Sequence, residues 1–305
     1  MVRMPKLLLA AAQTRPVRAS VSALPISRKM VRRFIAGPDS TSALQVTKSL
    51  REQGLAVTLD VLGEDITDKA QAAQTAASYR SLLAALSEAG LADRAEVSVK
   101  LSAFGQALGA DGDKIALENA FTVAEAAQAA GTTMTLDMED HTTVDSTLGI
   151  LAELRAQYPW VGAVLQAALY RTEGDCRDLA TTGSRVRLVK GAYAEPASVA
   201  HPAKADVDAA YRRCLEILFA GAGHPMIATH DMSLVTQACV LGRDRGDWEL
   251  QMLYGIRTDE QRLLAAAGID VRVYLPFGTD WYGYYIRRLA ERPANMLFLL
   301  RHLNS

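Results

Sequence analysis

A closed (β/α)8 barrel, an α/β fold of the TIM type with additional N-terminal helices, is the architecture this sequence predicts. Three observations lead to it. Short runs rich in Val, Leu, Ile and Thr alternate with Ala-rich stretches of helical period. Eight such runs are present, spaced by roughly 25 to 40 residues, which favours closure into a barrel. No GxGxxG turn follows the first run, as the main rival, an open doubly wound sheet, would usually require.

The elements follow in order. Ser40–Gln53 begins at a good N-cap residue and ends at Gly54, which predicts a helix. Arg28–Ala36 is read as another. The eight strand candidates are Leu55–Asp60, Glu96–Leu101, Thr133–Asp137, Val161–Gln166, Arg185–Lys190, Pro225–Thr229, Glu249–Leu253 and Asp270–Leu275. Helices are expected between them, including Lys69–Ala89, Lys114–Ala130, Val144–Ala156, Ala205–Ala220 and Thr258–Ala267. Near-continuous apolar strands alternating with helices indicate a parallel sheet covered on both faces. Residues 1–54 are expected to form an arm and helices packed on the barrel, and residues 55–305 the catalytic barrel. No linker or low-complexity tract divides the chain.

Composition narrows the function. The formal net charge of −1 leaves no basic field for nucleic acid, and no nucleic-acid partner is expected. Cys176, Cys214 and Cys239 form no CxxC pair and read as reduced thiols of a cytoplasmic protein. The apolar run Leu7–Ala12 is about half the length of a signal-sequence core, so a short amphipathic arm is expected there rather than a signal sequence, and no membrane span is expected elsewhere.

In this fold the chemistry sits at the C-terminal ends of the strands, and here those ends are polar. Lys100 closes the second strand, Asp137 the third, Gln166 the fourth, Arg187 and Lys190 the fifth, and Thr229, His230 and Asp231 the sixth; Tyr274 lies in the eighth. Each residue alone has an ordinary structural explanation. Together they need one mouth where buried charges compensate each other. The run from Asp137 to His141 has the composition of a metal cluster, but no paired-histidine spacing accompanies it, so no metal is expected.

After the eighth strand, Pro276 and Gly278 break the chain, Thr279 or Asp280 can cap a helix, and Pro293 bounds it. On that helix Arg287 and Arg288 project about 100° apart, so both guanidinium forks can meet one small carboxylate. Glu291 is the i,i+4 partner of Arg287 and the i,i+3 partner of Arg288. A solvated face with an intrahelical ion pair is the plainer explanation of the same residues. On these residues alone, an aldolase-like barrel with Lys100 or Lys190 as Schiff-base nucleophile and a non-catalytic amino-acid-binding barrel also stay open.

The strings SVKLSAFG, TLDMED, RLVKGAY, ATHD, LQMLYG and YLPFG…YYIRRLAE, in that order, resemble the sequence blocks of the proline dehydrogenase family. The resemblance runs from about residue 55 to the C-terminus, and its closest likeness is to the monofunctional bacterial branch. It implies a barrel holding noncovalent FAD and oxidation of L-proline to Δ1-pyrroline-5-carboxylate by hydride transfer to the flavin. It also implies a membrane quinone as acceptor, and pyrroline-5-carboxylate dehydrogenase as a downstream partner. The implied location is cytoplasmic, with transient peripheral contact at the inner face of the cell membrane.

By the same resemblance Lys100, Asp137, Tyr274, Arg287, Arg288, Glu291 and Leu253 line the proline site. Arg287 and Arg288 would take the carboxylate and Tyr274 would pack over the ring. Asp137 and Arg187 are the implied catalytic residues, with Arg187 near flavin N5. Met138, Gln166, Lys190, Gly191, Ala192, Tyr193, Thr229 and His230 are implied to contact FAD.

Overall fold

The computed structural model of the chain describes residues 33–63 and 66–281. Strands β1 (Ala56–Val61), β2 (Ala95–Lys100), β3 (Met134–Asp137), β4 (Gly162–Gln166), β5 (Arg185–Val189), β6 (His224–Ala228), β7 (Glu249–Leu253) and β8 (Val271–Phe277) close into a barrel in chain order. All neighbours pair in parallel, and β1 joins β8 with Thr58 opposite Tyr274. Every predicted strand is present, with no end moved by more than two residues.

Helices α1 (Ser40–Glu52), α2 (Lys69–Glu88), α3 (Gly112–Ala130), α4 (Val144–Gln157), α5 (Thr172–Leu179), α6 (Lys204–Ala220), α7 (Met232–Leu241) and α8 (Thr258–Ala266) surround it. Side chains of Asp39, Asp68 and Asp231 accept hydrogen bonds from the first-turn N–H groups of α1, α2 and α7, which sets where those helices begin. Helix α1 packs on β1 and β8 through Ala43, Thr47 and Leu50. It therefore covers the seam between the first and last strands.

The helix expected over Arg28–Ala36 is not found in its described part. Residues 33–36 form a turn and extended chain, because Ala36 N–H donates to Pro276 O (3.0 Å), tying the segment to the end of β8. Gly278 N–H in turn donates to Gly37 O (2.9 Å). The helix read beyond Asp280 falls, from residue 282 onward, outside the described residues.

The aliphatic core lies between barrel and helices rather than inside the barrel. Val57, Leu59, Val97, Val99, Leu136 and Leu188 pack outward against helix residues such as Leu82, Leu86, Val123 and Leu151. The alternate strand positions face the lumen, and many are polar: Thr58, Glu96, Ser98, Arg187 and Gln251 are all buried. This corrects the expectation of near-continuous apolar strands. Strands β2, β5, β7 and β8 alternate apolar outward with polar inward.

Two buried tyrosines fasten helices to the strand carbonyls. Tyr79 of α2 donates to Ser98 O (2.8 Å) and accepts from Val61 N–H (3.1 Å), bridging β1 and β2. Tyr211 of α6 donates to Leu188 O (3.0 Å) and lies 3.3 Å from Ala228 O, bridging β5 and β6. Replacing Tyr79 by Phe removes both of its bonds to strand backbone. We expect Tyr79→Phe to lower unfolding stability by about 1–3 kcal/mol in denaturant titration; an unchanged midpoint would contradict the bridging role.

Candidate active site

The strand ends at the C-terminal mouth carry a compact charged floor. Lys100 Nζ is held by both oxygens of Asp60, at 3.0 and 3.1 Å. Asp60 ends on the lumen face of β1 and is buried. Burial pushes its carboxyl above the usual range, although Lys100 opposes the shift.

Beside this pair, Asp137 accepts from three donors: Ser98 Oγ (2.7 Å), Arg187 Nη1 (2.7 Å) and Tyr274 Oη (2.6 Å). Burial, with the Asp137 and Asp60 carboxylates adding to it, holds the Tyr274 phenol well above its ordinary pKa. It is therefore a hydrogen-bond donor at neutral pH. The Arg187 guanidinium also stands 5.4 Å from the Tyr274 ring centroid, within cation–π range.

Arg187 is the most enclosed cation of the group, 3% exposed. Besides Asp137 it donates to Gln251 Oε1 (2.5 Å), Ser98 Oγ (2.9 Å) and Glu96 Oε1 (3.3 Å). Burial raises the Glu96 pKa, but Arg185, Arg272 and Arg187 outweigh it and bring the group down to about 2. The carboxylate is thus charged across the physiological range.

Around the mouth of β5 and β6 the remaining predicted residues come together. Lys190 Nζ bridges Asp208 (2.6 Å) and Asp231 (3.0 Å), and Lys204 also pairs with Asp208. Burial acts against the Asp231 charge, but Lys190 and Ser233 bring its pKa to about 2. Gln166 Nε2 donates to Glu139 O (2.7 Å), and His230 Nε2 accepts from Leu253 N–H (2.9 Å). Thr229 Oγ1 accepts from Asp231 N–H (3.1 Å).

Gly191 has φ +109°, and an added Cβ would lie 3.2 Å from Ala168 Cβ. Only glycine takes this conformation without strain. Ala192 and Tyr193 beyond it are exposed, with Tyr193 at 41%. Met138 is buried in the main core, and Leu253 packs on the small apolar cluster of Phe34, Ile35, Leu62 and Ile256. Arg287, Arg288 and Glu291 lie outside the described residues.

The geometry bears on the other readings of these residues. Lys100 and Lys190 each donate to two carboxylate oxygens, which ties both amines into ion pairs and counts against either as a Schiff-base nucleophile. The metal-like run is engaged in structural bonds: Glu139 receives Ser102 N–H (3.0 Å) and Ser102 Oγ (2.7 Å), and His141 Nδ1 meets Glu195 (2.5 Å). Among the described residues no His, Cys, Asp and Glu cluster is arranged to hold a metal. Sequence reasoning missed Asp60, Glu96, Ser98 and Gln251. Their signal was the polar alternation in EVSVK and ELQML, and the aspartate that ends LAVTLD as another ends TMTLD.

A barrel with paired carboxylates, a buried arginine and a phenol at its C-terminal mouth is an enzyme of the TIM class. A family model described as proline dehydrogenase matches residues 43–301. The chain is 42% identical over 282 residues to a proline dehydrogenase of Deinococcus radiodurans, covering 89% of each protein. It is 37% identical over 283 residues to proline dehydrogenase 2 of Bacillus subtilis, covering 92% of each. Among solved structures it is similar to proline utilization A from Bdellovibrio bacteriovorus, crystallised after inactivation by N-propargylglycine. That similarity has a TM-score of 0.79 at 26% identity and covers 87% of this chain and 33% of the other. The chain belongs to the proline dehydrogenase family, a flavin-dependent family, and oxidises proline to Δ1-pyrroline-5-carboxylate, the first step of proline catabolism.

At the opposite end of the lumen His224 pairs with Asp247 and approaches Glu249 at 3.9 Å. Burial alone would lower its pKa, but the Glu249 and Asp247 hydrogen bonds raise it above 6.5. His224 therefore adds stability that is complete below pH 6.5 and is lost as pH rises through the higher folded value. Thermal midpoints of the native protein should fall across that window, and those of His224→Gln should fall less. Parallel pH profiles for the two proteins would contradict this assignment.

Proposed function

We propose that the barrel mouth binds FAD and L-proline together, and that the Asp137–Arg187–Tyr274 junction is the platform on which the proline ring is oriented. The carrying observation is that three donors converge on Asp137. With both oxygens engaged, Asp137 anchors Arg187 and Tyr274 instead of moving the amine proton. Tyr274 packs over the ring, Leu253 supplies an apolar wall, and Arg287 and Arg288 clamp the carboxylate, oriented by Glu291. Lys100, held by Asp60, completes the charge balance of that pocket. Positioning of the ring is the main contribution of these side chains to rate.

The chemistry FAD supplies when bound is acceptance of the two electrons and the hydrogen lost from the proline ring. The residues at the ends of β3 to β6 suit such a group. Gly191 leaves a cradle that a Cβ would fill, Tyr193 offers an exposed aromatic face, and Lys190 offers a cation for the diphosphate. Met138, Gln166, Ala192, Thr229 and His230 complete the contact surface, with Arg187 toward the redox-active ring. Binding at the phosphates requires Lys190 to be shared with Asp208 and Asp231, so FAD affinity should fall with rising salt.

We also propose that electrons leave to a membrane quinone during transient contact from the cytoplasmic side, with the product passing to a pyrroline-5-carboxylate dehydrogenase. Among the described residues no helix is long and apolar enough to cross a membrane, so such contact would not be made by a span within them.

Anaerobic addition of L-proline to the purified protein should bleach a flavin absorbance band. In Arg288→Ala the Michaelis constant for proline should rise at least tenfold while flavin content stays unchanged. A protein without flavin, or unaltered proline kinetics in the variant, would overturn the corresponding half of the reading.

A further inference from the structure

The lumen carries charge from the active-site mouth to the opposite face of the barrel. Below Arg187, Glu96 Oε1 accepts from Thr58 Oγ1 (2.8 Å), and Glu96 Oε2 accepts from Thr133 Oγ1 (2.8 Å) and Arg185 Nη2 (2.7 Å). A second branch runs from Arg187 Nε through Gln251, whose Nε2 donates to Glu249 Oε1 (2.5 Å). Arg272 Nε donates to the same Glu249 oxygen (2.8 Å).

Arg185, Arg187, Arg272, Glu96, Glu249 and Asp137 thus form one connected network in which three positive and three negative charges cancel. Their side chains are at most 14% exposed. A cavity of about 290 Å³ opens beneath them on the N-terminal face.

Stability is a weak reason for this arrangement. Barrel interiors are commonly filled by layers of branched aliphatic residues, and a buried ion network is often no more stabilising than an apolar replacement. What it does is fix the electrostatic setting of Arg187. Solvent screens a surface charge strongly, but a charge inside this lumen acts through a poorly polarisable medium.

We infer that Glu96 and Arg185 are positioning residues for the redox site, acting through Arg187 to set the charge felt by the flavin. The inference rests on the reading that Arg187 lies beside the flavin ring. Removing an anion below Arg187 leaves an uncompensated cation and favours the reduced, more negative flavin. Removing a cation does the opposite.

The test is a spectroelectrochemical titration of the flavin in the native holoenzyme and in Glu96→Gln, Arg185→Met and Arg187→Met, with flavin content and melting temperature recorded. Glu96→Gln should raise the equilibrium constant for two-electron reduction about tenfold, a shift of ~30 mV upward. Arg185→Met should lower it by a similar factor. A purely structural role would lower the melting temperature of both without shifts of opposite sign.

If Arg187→Met moves the potential but the other two leave it unchanged or move it the same way, the inference is overturned. If Arg187→Met itself leaves the potential unchanged, the placement of Arg187 beside the flavin is what fails. Should Glu96→Gln not fold, Arg272→Met replaces it and must shift the potential in the same direction as Arg185→Met. Shifts of opposite direction, or none, overturn the inference.

Discussion

The four-way hydrogen bonding of the Arg187 guanidinium is the constraint on which the site depends. A fully charged side chain at 3% exposure is sustainable only if its donors are met. Asp137 and Ser98 meet them toward the mouth, Glu96 and Gln251 toward the floor. Because Arg187 is fixed from below, Asp137 is fixed above it, and through Asp137 the Tyr274 hydroxyl is fixed as well. The polar mouth is thus built upward from the barrel axis, which is how a scaffold holds polar groups in a narrow range of positions.

The surrounding architecture makes that possible. Aliphatic packing is displaced outward, between strands and helices, leaving the lumen for polar contacts. Tyr79 and Tyr211 tie helices α2 and α6 to carbonyls of the strands beneath them. Helix α1 covers the β8–β1 seam, a position that a helix following β8 occupies in a plain barrel. Under the proposed function the arginines of the segment after β8 serve the substrate.

Much of the fold was legible because its signals are local. Strand β5 announces itself as RVRLV between turn residues, and α2 as a long Ala- and Leu-rich stretch after Asp68. The mouth residues Lys100, Asp137, Arg187 and Tyr274 were legible from the rule that barrel chemistry sits at strand ends, and the structure joins them into adjoining contacts. Asp60 and Glu96 were harder. The alternation in AEVSVK puts Glu96 on one face with Ser98 and Lys100, but it tells lumen from solvent only once the barrel is closed. Its partners Arg185 and Thr58 stand 89 and 38 positions away in sequence. The turn over residues 33–36 was misread for a related reason: its backbone bond to Pro276 is a tertiary contact that no helical periodicity encodes.

The central claim is that Arg187 and Asp137 act as one unit in proline oxidation. A double-mutant cycle on the rate of anaerobic flavin reduction by proline tests it most directly, using Arg187→Met, Asp137→Asn and the double variant. If the two side chains form one unit, the double variant should be within about threefold of the slower single variant. Losses that multiply across the two substitutions would contradict the account.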